Sequence, residues 1–177
     1  RILGCAASAP SAGNRQTYRF YVITAAETIT AMAEAVSAEV ERVRRRMPES
    51  YDDVGQRYLD NFTHFAQAPV VVVPIYRVGV DLLPSASDGP SNHLPRQAVD
   101  AVASVSAAIT NLLTAVHAHG LGSCWMSGPL VAHDALSRQL SVPNGWQIAA
   151  LLPIGEPLET PSAPRKRPLE RLLRWIE

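Results

Sequence analysis

Residues 98–128, AVDAVASVSAAITNLLTAVHAHGLGSCWMSG, constrain this chain more than any other stretch. Ala98, Val102, Val105, Ile109, Leu112, Val116 and His119 recur at alternating spacings of four and three, which places them on one helical face. The opposite face carries Ala103, Ala107, Thr110 and Ala118, small enough for a second backbone to approach closely. With so little polar surface, this helix is expected to be buried on most sides. Gly120 stands where a left-handed C-terminal cap belongs. LGSCWM reads as a short strand, and the turn that closes it, ending in Ser127 and Gly128, reads as one wall of a site.

Around this helix the chain is expected to fold as one domain over residues 1–177, since its length suits a single core. It is 47% hydrophobic and 18% charged, with sixteen basic and sixteen acidic residues. That balance speaks against general nucleic-acid binding, which needs a basic surplus. Two cysteines, Cys5 and Cys124, are too few for a disulfide scaffold. No uninterrupted apolar run reaches membrane-spanning length, and no signal peptide is visible. A soluble, cytoplasmic protein with no membrane partner is therefore expected. The sequence starts at Arg1 rather than Met and opens directly into an apolar pattern, so the natural start is expected to lie upstream.

Taken in order, residues 1–8 read as the end of a helix with Ile2, Leu3 and Ala6 inward, stopped by Pro10. TYRFYVIT alternates as a strand with Tyr18, Phe20 and Val22 on one face. Thr24 and Glu27 have capping-box spacing and open a helix to about Met47, with Ile29, Met32, Val36, Val40, Val43 and Met47 as its stripe. The arginines from Arg42 to Arg46 suit that helix's C-terminal dipole and need no functional role. Residues 50–65 suggest a weaker helix. Val70 to Val73 suggest a strand covered on both faces. Residues 77–96 form a long loop of the kind that carries function, with His93 a possible substrate contact. A helix is expected over about Ala132–Leu140, then one buried strand WQIAALLPIG, a proline-rich arm and a short amphipathic helix LERLLRWIE. Mixed helices and strands of this order indicate an α+β or α/β layered fold.

Chemistry is sparsely marked. No dinucleotide fingerprint, P-loop or zinc-spaced set is present, and His117 and His119 point in different directions on their helix. Residues 10–16 place a hydroxyl, two amides and a guanidinium in a constrained turn. Arg165, Lys166 and Arg167 on the proline-stiffened arm suit an anion. Ser127 and Gly128 can present a backbone N–H without a bulky side chain in the way. Cys124, Trp146 and Trp175 are expected to be packing residues, with Cys124 in the core. A pocket without an obvious acid, base or nucleophile suggests that a cofactor carries the reaction.

Four blocks together carry a resemblance: APSAGNRQTYRFYVI, NFTHFAQAPVVVV, NLLTAVHAHGLGSCWMSG and PRKRPLERLLRW. In order and spacing they resemble the nitroreductase-like flavoproteins, in particular short bacterial members and the flavin-binding domain fused in deazaflavin-cofactor biosynthesis enzymes. The resemblance implies an α+β, three-layer fold with a mostly antiparallel central sheet flanked by helices, in an intertwined homodimer. It implies FMN at the dimer interface. Pro10, Ser11, Asn14 and Gln16 would approach the ring from one subunit. Asn61 and His64 would lie near the ribityl chain or phosphate. Trp125, Met126, Ser127 and Gly128 would line the ring, with a backbone N–H near Ser127 or Gly128 facing the reactive nitrogen. Arg165 and Arg167 would neutralise the phosphate. The family's N-terminal helix and its Arg-Ser-x-Arg-type segment are expected upstream of Arg1.

The activity implied is ping-pong hydride transfer from NADH or NADPH to a small-molecule electron acceptor, such as a nitroaromatic, quinone or enone. Residues 77–96 would form its variable substrate loop. Two other readings stand beside it: a flavin-dependent biosynthetic dehydrogenase or reductase of one metabolite, and a non-catalytic ligand-binding relative.

Overall fold

A computed structural model describes residues 1–48, 53–79, 96–159 and 162–176. The expected substrate loop, including His93, lies almost entirely outside the described residues. The helices are α1 (Ile2–Ala7), α2 (Ala26–Arg44), α3 (Asp53–Asp60), α4 (Arg96–Ala118) and α5 (His133–Gln139). The strands are β1 (Tyr18–Ile23), β2 (Val70–Arg77), β3 (Gly122–Ser123), β4 (Trp146–Ile148) and β5 (Leu152–Gly155). Short 3-10 turns cover Ala12–Asn14, Asn61–Gln67, Gly128–Ala132 and Leu169–Arg171.

The layers follow from the alternation of side chains along β2. This valine-rich, β-branched strand pairs with β1 on one side and with β4 and β5 on the other, always antiparallel. Val71, Val73 and Ile75 point to one side, where they meet Ile29, Met32, Val36 and Val40 of α2, with Phe65 and Leu136. Val72 points to the other side, into a core made with Ala6 of α1 and Val105, Ile109, Leu112 and Val116 of α4. The result is the expected three-layer α+β arrangement, a sheet between two helical layers. Each large side chain sealed this way stabilises the fold by about 1.5–3 kcal/mol.

WQIAALLPIG forms two strands rather than the one expected, and Pro74 supplies the reason. In register, Ile75 faces Ile148 and Val72 faces Leu152. Two residues of β2 therefore oppose three between β4 and β5, which is a bulge. The Pro74 carbonyl accepts the Ala149 N–H at 2.8 Å. A residue's two backbone groups share one side in an antiparallel ladder, so the N–H that proline lacks belongs on this same edge. The ladder with β2 breaks there and resumes at Leu152; Leu151 beside it faces the other way by ordinary alternation, in register with β3. Its N–H and carbonyl form two bonds with Met126, at 2.9 and 3.0 Å.

Several local expectations are corrected. α2 starts at Ala26 with Ala25 as N-cap and no side-chain cap, so the Thr24–Glu27 capping box does not form. Its apolar stripe packs as expected, with Val43 and Met47 partly buried. In α1, Leu3 is exposed while Ala6 is buried. Val22 is exposed at the end of β1, away from the cover that α1 and α4 give Tyr18. The closing segment forms a single 3-10 turn instead of an amphipathic helix, and Trp175 is exposed rather than packed. Gly120 takes the expected left-handed conformation, φ 74°.

α4 is buried on one face only. Ala101, Ser104, Val105, Ala108, Ile109, Leu112, Ala115 and Val116 face inward. Val99 and Val102 are exposed, as are Ala103, Thr110, Ala118 and His119. The inner stripe is rotated from the expected one because Ala101, Ala108 and Ala115, lacking bulk, take the closest approaches. By length and composition α4 could cross a membrane, yet its inner face is the core of one helical layer.

The Tyr18 hydroxyl is buried with no hydrogen-bond partner among the described residues. Burial pushes its pKa above the usual 10.0 by disfavouring the phenolate. The folded chain therefore resists an ionisation that the unfolded chain undergoes near pH 10, so stability held below that pH falls as pH rises through the folded value. Tyr18→Phe removes both the orphaned hydroxyl and this alkaline loss. It is expected to be neutral to about 1 kcal/mol stabilising at pH 7. Urea melts from pH 7 to 11 should show the variant's advantage growing above pH 10.

Candidate functional site

Two groups of the expected site residues assemble, and they lie at opposite edges of the sheet. The first begins with the Met126–Leu151 bridge, which anchors the segment after β3 against the sheet. Trp125, immediately before it, is 39% exposed, and Met126 is half-buried. The next two residues lead into the Gly128–Ala132 turn, where Ser127 accepts the Leu130 N–H at 3.0 Å. The N–H groups of Ser127 and Gly128 donate to no acceptor among the described residues. Ser127 caps that turn and Gly128 opens it, so their N–H groups have no partner within it and are free to donate to water or to an acceptor outside the chain.

The second component of this group is the Asn61–Gln67 turn, which holds Asn61 and His64. Phe65 anchors it in the core, while Asn61 and His64 are exposed. Phe62 joins it to the first component. Its ring stacks edge-on against Tyr58, with centroids 5.1 Å apart, and lies directly on Gly128. A Cβ at position 128 would collide with that ring. Below the joint lies a cavity of about 300 Å³ lined by His64, Gln67, Pro69, Cys124, Gly155 and Glu156. Cys124 is exposed at this cavity rather than buried in the core, because its segment runs along the edge of the sheet.

The second group is the turn from Pro10 to Gln16. Pro10, Asn14 and Gln16 are exposed and Ser11 is half-buried. Gly13, Asn14 and Gln16 all have positive φ, at 57°, 53° and 47°. For Asn14 and Gln16 this backbone costs on the order of 1–3 kcal/mol each and persists only where neighbours impose it. Ser11 Oγ accepts the Gln16 N–H at 3.0 Å, and Gln16 Nε2 donates to Asn14 Oδ1 at 3.0 Å. The Ala12 N–H donates to Ser104 Oγ of α4 at 3.2 Å. Asn14 Nδ2 keeps its donors free among the described residues. This turn feeds β1, whereas Trp125 to Gly128 follow β3, and the strand order β1-β2-β5-β3 sets them three spacings apart, about 14 Å.

Arg165 and Arg167 are exposed on an extended arm and have no hydrogen bond or ion pair among the described residues. The structure thus brings Asn61 and His64 to the Trp125–Gly128 wall. It leaves the Pro10–Gln16 turn and the two arginines apart from that wall within one chain. Sequence reasoning missed Phe62 and Ser104. A serine in the middle of an apolar helix was a usable signal for Ser104; Phe62 was legible only once its neighbour was known to be Gly128. Trp146 is a packing residue as expected, partly buried, with the Arg19 and Arg77 guanidiniums 4.5 and 5.7 Å from its ring.

A sequence model described as the nitroreductase family matches residues 1–156. Solved structures share the fold. A BluB-like flavoprotein from Clostridium difficile 630 is 22% identical, covering 99% of this chain and 87% of its own, with a TM-score of 0.79. A nitroreductase with bound FMN from Desulfitobacterium hafniense DCB-2 is 18% identical over 99% and 84%, TM-score 0.71. A variant of the FMN and NADPH-dependent nitroreductase NfnB derived from sphigopyxis sp. strain HMH is 18% identical over 99% and 86%, TM-score 0.73.

Gly128→Ala is expected to destabilise the protein by about 1–3 kcal/mol, because the added methyl displaces Phe62 from a packed position. At about 2–4 °C per kcal/mol for a domain of this size, thermal melting should register it. Gly4→Ala is the matching control: nothing lies within 4 Å of its Cβ, and alanine suits the exposed face of α1. It should melt no lower than the parent.

Proposed function

The chain belongs to the nitroreductase family, and from that membership we propose that it is an FMN-dependent oxidoreductase passing hydride from NADH or NADPH to a small, electron-poor acceptor. The observation that carries this reading is the unpaired Ser127 and Gly128 N–H pair beside Trp125 and Met126. An apolar wall with two fixed donors at its foot suits a flat heteroaromatic ring that gains electron density when reduced. Fixed backbone dipoles stabilise such charge without a titrating group. FMN, when bound, supplies the hydride chemistry.

The other residues take roles consistent with their positions. Trp125 and Met126 exclude water from the ring face. Asn61 and His64, above the 300 Å³ cavity, face the ribityl chain or phosphate. Glu156 on that cavity's rim repels an anion, so the phosphate needs added positive charge, which Arg165 and Arg167 provide. Pro10, Ser11, Asn14 and Gln16 cover the ring from a second copy of the chain, with Asn14 Nδ2 as donor. Donor and acceptor use the same ring face in turn, which gives ping-pong kinetics. Holding the reactants about 3–3.5 Å apart in alignment supplies most of the rate gain. The free thiols of Cys5 and Cys124 are in keeping with a reducing, cytoplasmic setting.

A homodimer is part of the proposal, because the two halves of the site sit at opposite sheet edges in one chain. Val99 and Val102 of α4 are 49% and 46% exposed, and Trp175 and Ile176 of the arm 86% and 87%. A second copy covers this apolar surface.

Purified full-length protein should be yellow, bleach on anaerobic addition of NAD(P)H, and sediment at twice the mass of one chain. A colourless protein that ignores added FMN would sink the proposal, and a monomer would remove half of its site. Slow bleaching by NAD(P)H with fast reduction by one metabolite would instead identify a dedicated biosynthetic enzyme. Replacing Arg165 and Arg167 together by alanine should weaken FMN binding about tenfold to a hundredfold, from the loss of charge-assisted contacts. Flavin fluorescence titration measures it.

A further inference from the structure

Ser104 is the one polar or charged side chain buried among the described residues, at 5% exposure. Its hydroxyl proton goes to the Asp100 carbonyl one helical turn back, at 2.6 Å. That bond aims the oxygen outward from α4, where it accepts the Ala12 N–H at 3.2 Å, across 92 residues of sequence. No other hydrogen bond among the described residues ties the turn from Ala12 to Gln16 to α4. The turn's remaining bonds are internal: Asn14 N–H to the Ser11 carbonyl, Arg15 N–H to the Ala12 carbonyl, Gln16 N–H to Ser11 Oγ, and Gln16 Nε2 to the carbonyl and Oδ1 of Asn14.

An internally bonded turn fixes its own shape but not its place on the protein. Two of its residues, Asn14 and Gln16, hold costly positive-φ conformations, and such strain relaxes unless the surroundings oppose it. Alanine at position 104 would pack as well against Ala101 and Ala108, so packing alone does not call for a hydroxyl. Removing the hydroxyl would instead leave the Ala12 N–H without the acceptor it has on α4.

We propose that Ser104 is a positioning residue: it docks the Ala12–Gln16 turn on α4 and so sets where Asn14 and Gln16 meet the flavin. The assignment rests on the FMN reading above. Ser104 touches neither cofactor nor substrate and acts through the backbone of Ala12.

Amide hydrogen exchange and FMN titration on the purified flavoprotein test it together, using Ser104→Ala and Ser104→Thr. In Ser104→Ala, amides of residues 12–16 should exchange faster while those of residues 105–116 in α4 stay protected, and FMN should bind about tenfold more weakly. The flavin absorption maximum should shift, since a displaced Asn14 changes the ring's hydrogen bonding. Threonine keeps the hydroxyl and should restore both exchange and affinity toward the parent. Unchanged exchange at residues 12–16 overturns the assignment. So does faster exchange with unchanged FMN affinity and spectrum, which would make Ser104 a purely structural pin. Equal losses in both variants also overturn it, by showing that packing rather than the hydroxyl matters. A parent protein that binds no FMN is a separate signature: it removes the flavin reading, and this assignment with it.

Discussion

The paired backbones of Met126 and Leu151 hold the candidate site to the sheet. Pro74 stands in the central strand with both faces buried, a place where proline is normally costly because a ladder bond is lost. Here the loss is met by a bulge between β4 and β5. Next to that bulge Leu152 pairs with Val72, so Leu151 points its backbone the other way and pairs with Met126 in the register that β3 keeps on β5. The wall from Trp125 to Gly128 is held to the sheet by that pair of bonds, and Gly128 is held against Phe62 by the absence of a side chain. The Met126–Leu151 pair and the missing methyl of Gly128 thus place the segment that would line a flavin.

α4 connects the remaining parts. Its inner face fills one of the two cores, its serine reaches the strained turn before β1, and its C-terminal end releases the chain into β3. Its outer face, with Val99 and Val102, is exposed and meets no partner among the described residues. A helix this apolar cannot leave that face in water without cost, at about 25 cal/mol per Å² of apolar surface. The same logic applies to the arm carrying Arg165 and Arg167, whose aromatic and aliphatic residues are exposed alongside the charges. In the proposed dimer a second copy would cover both surfaces and complete the site, which is why the dimer and the cofactor site form one proposal.

The layered fold was legible because its signals are local and periodic. The Val70–Val73 run, the stripe from Ile29 to Val40 and the Gly120 cap each follow from spacing or backbone preference. What misled was also local. Thr24 and Glu27 have the spacing of a capping box, yet Ala25 begins the helix. LERLLRWIE has helical periodicity, but a short segment without tertiary contacts gains too little to offset nucleation. Cys124 looked like a core residue because its neighbours are apolar; its segment runs along the edge of the sheet. The stripe on α4 was read a few tens of degrees off, since alanines carry little weight in a hydrophobic pattern but decide which face can approach a sheet.

By itself the sequence determined the element types, the two-sided burial of β2, the cap at Gly120, and the clustering of candidate residues into four short blocks. Those properties depend on side-chain period and backbone preference, which act over a few residues. Only the tertiary structure decided that WQIAALLPIG breaks opposite Pro74, that Phe62 excludes a side chain at Gly128, and that Ser104 pins Ala12. It alone set the two halves of the site at opposite sheet edges. Each of these depends on atoms far apart in the chain meeting at hydrogen-bond or van der Waals distance, and no local pattern encodes where a distant backbone will arrive.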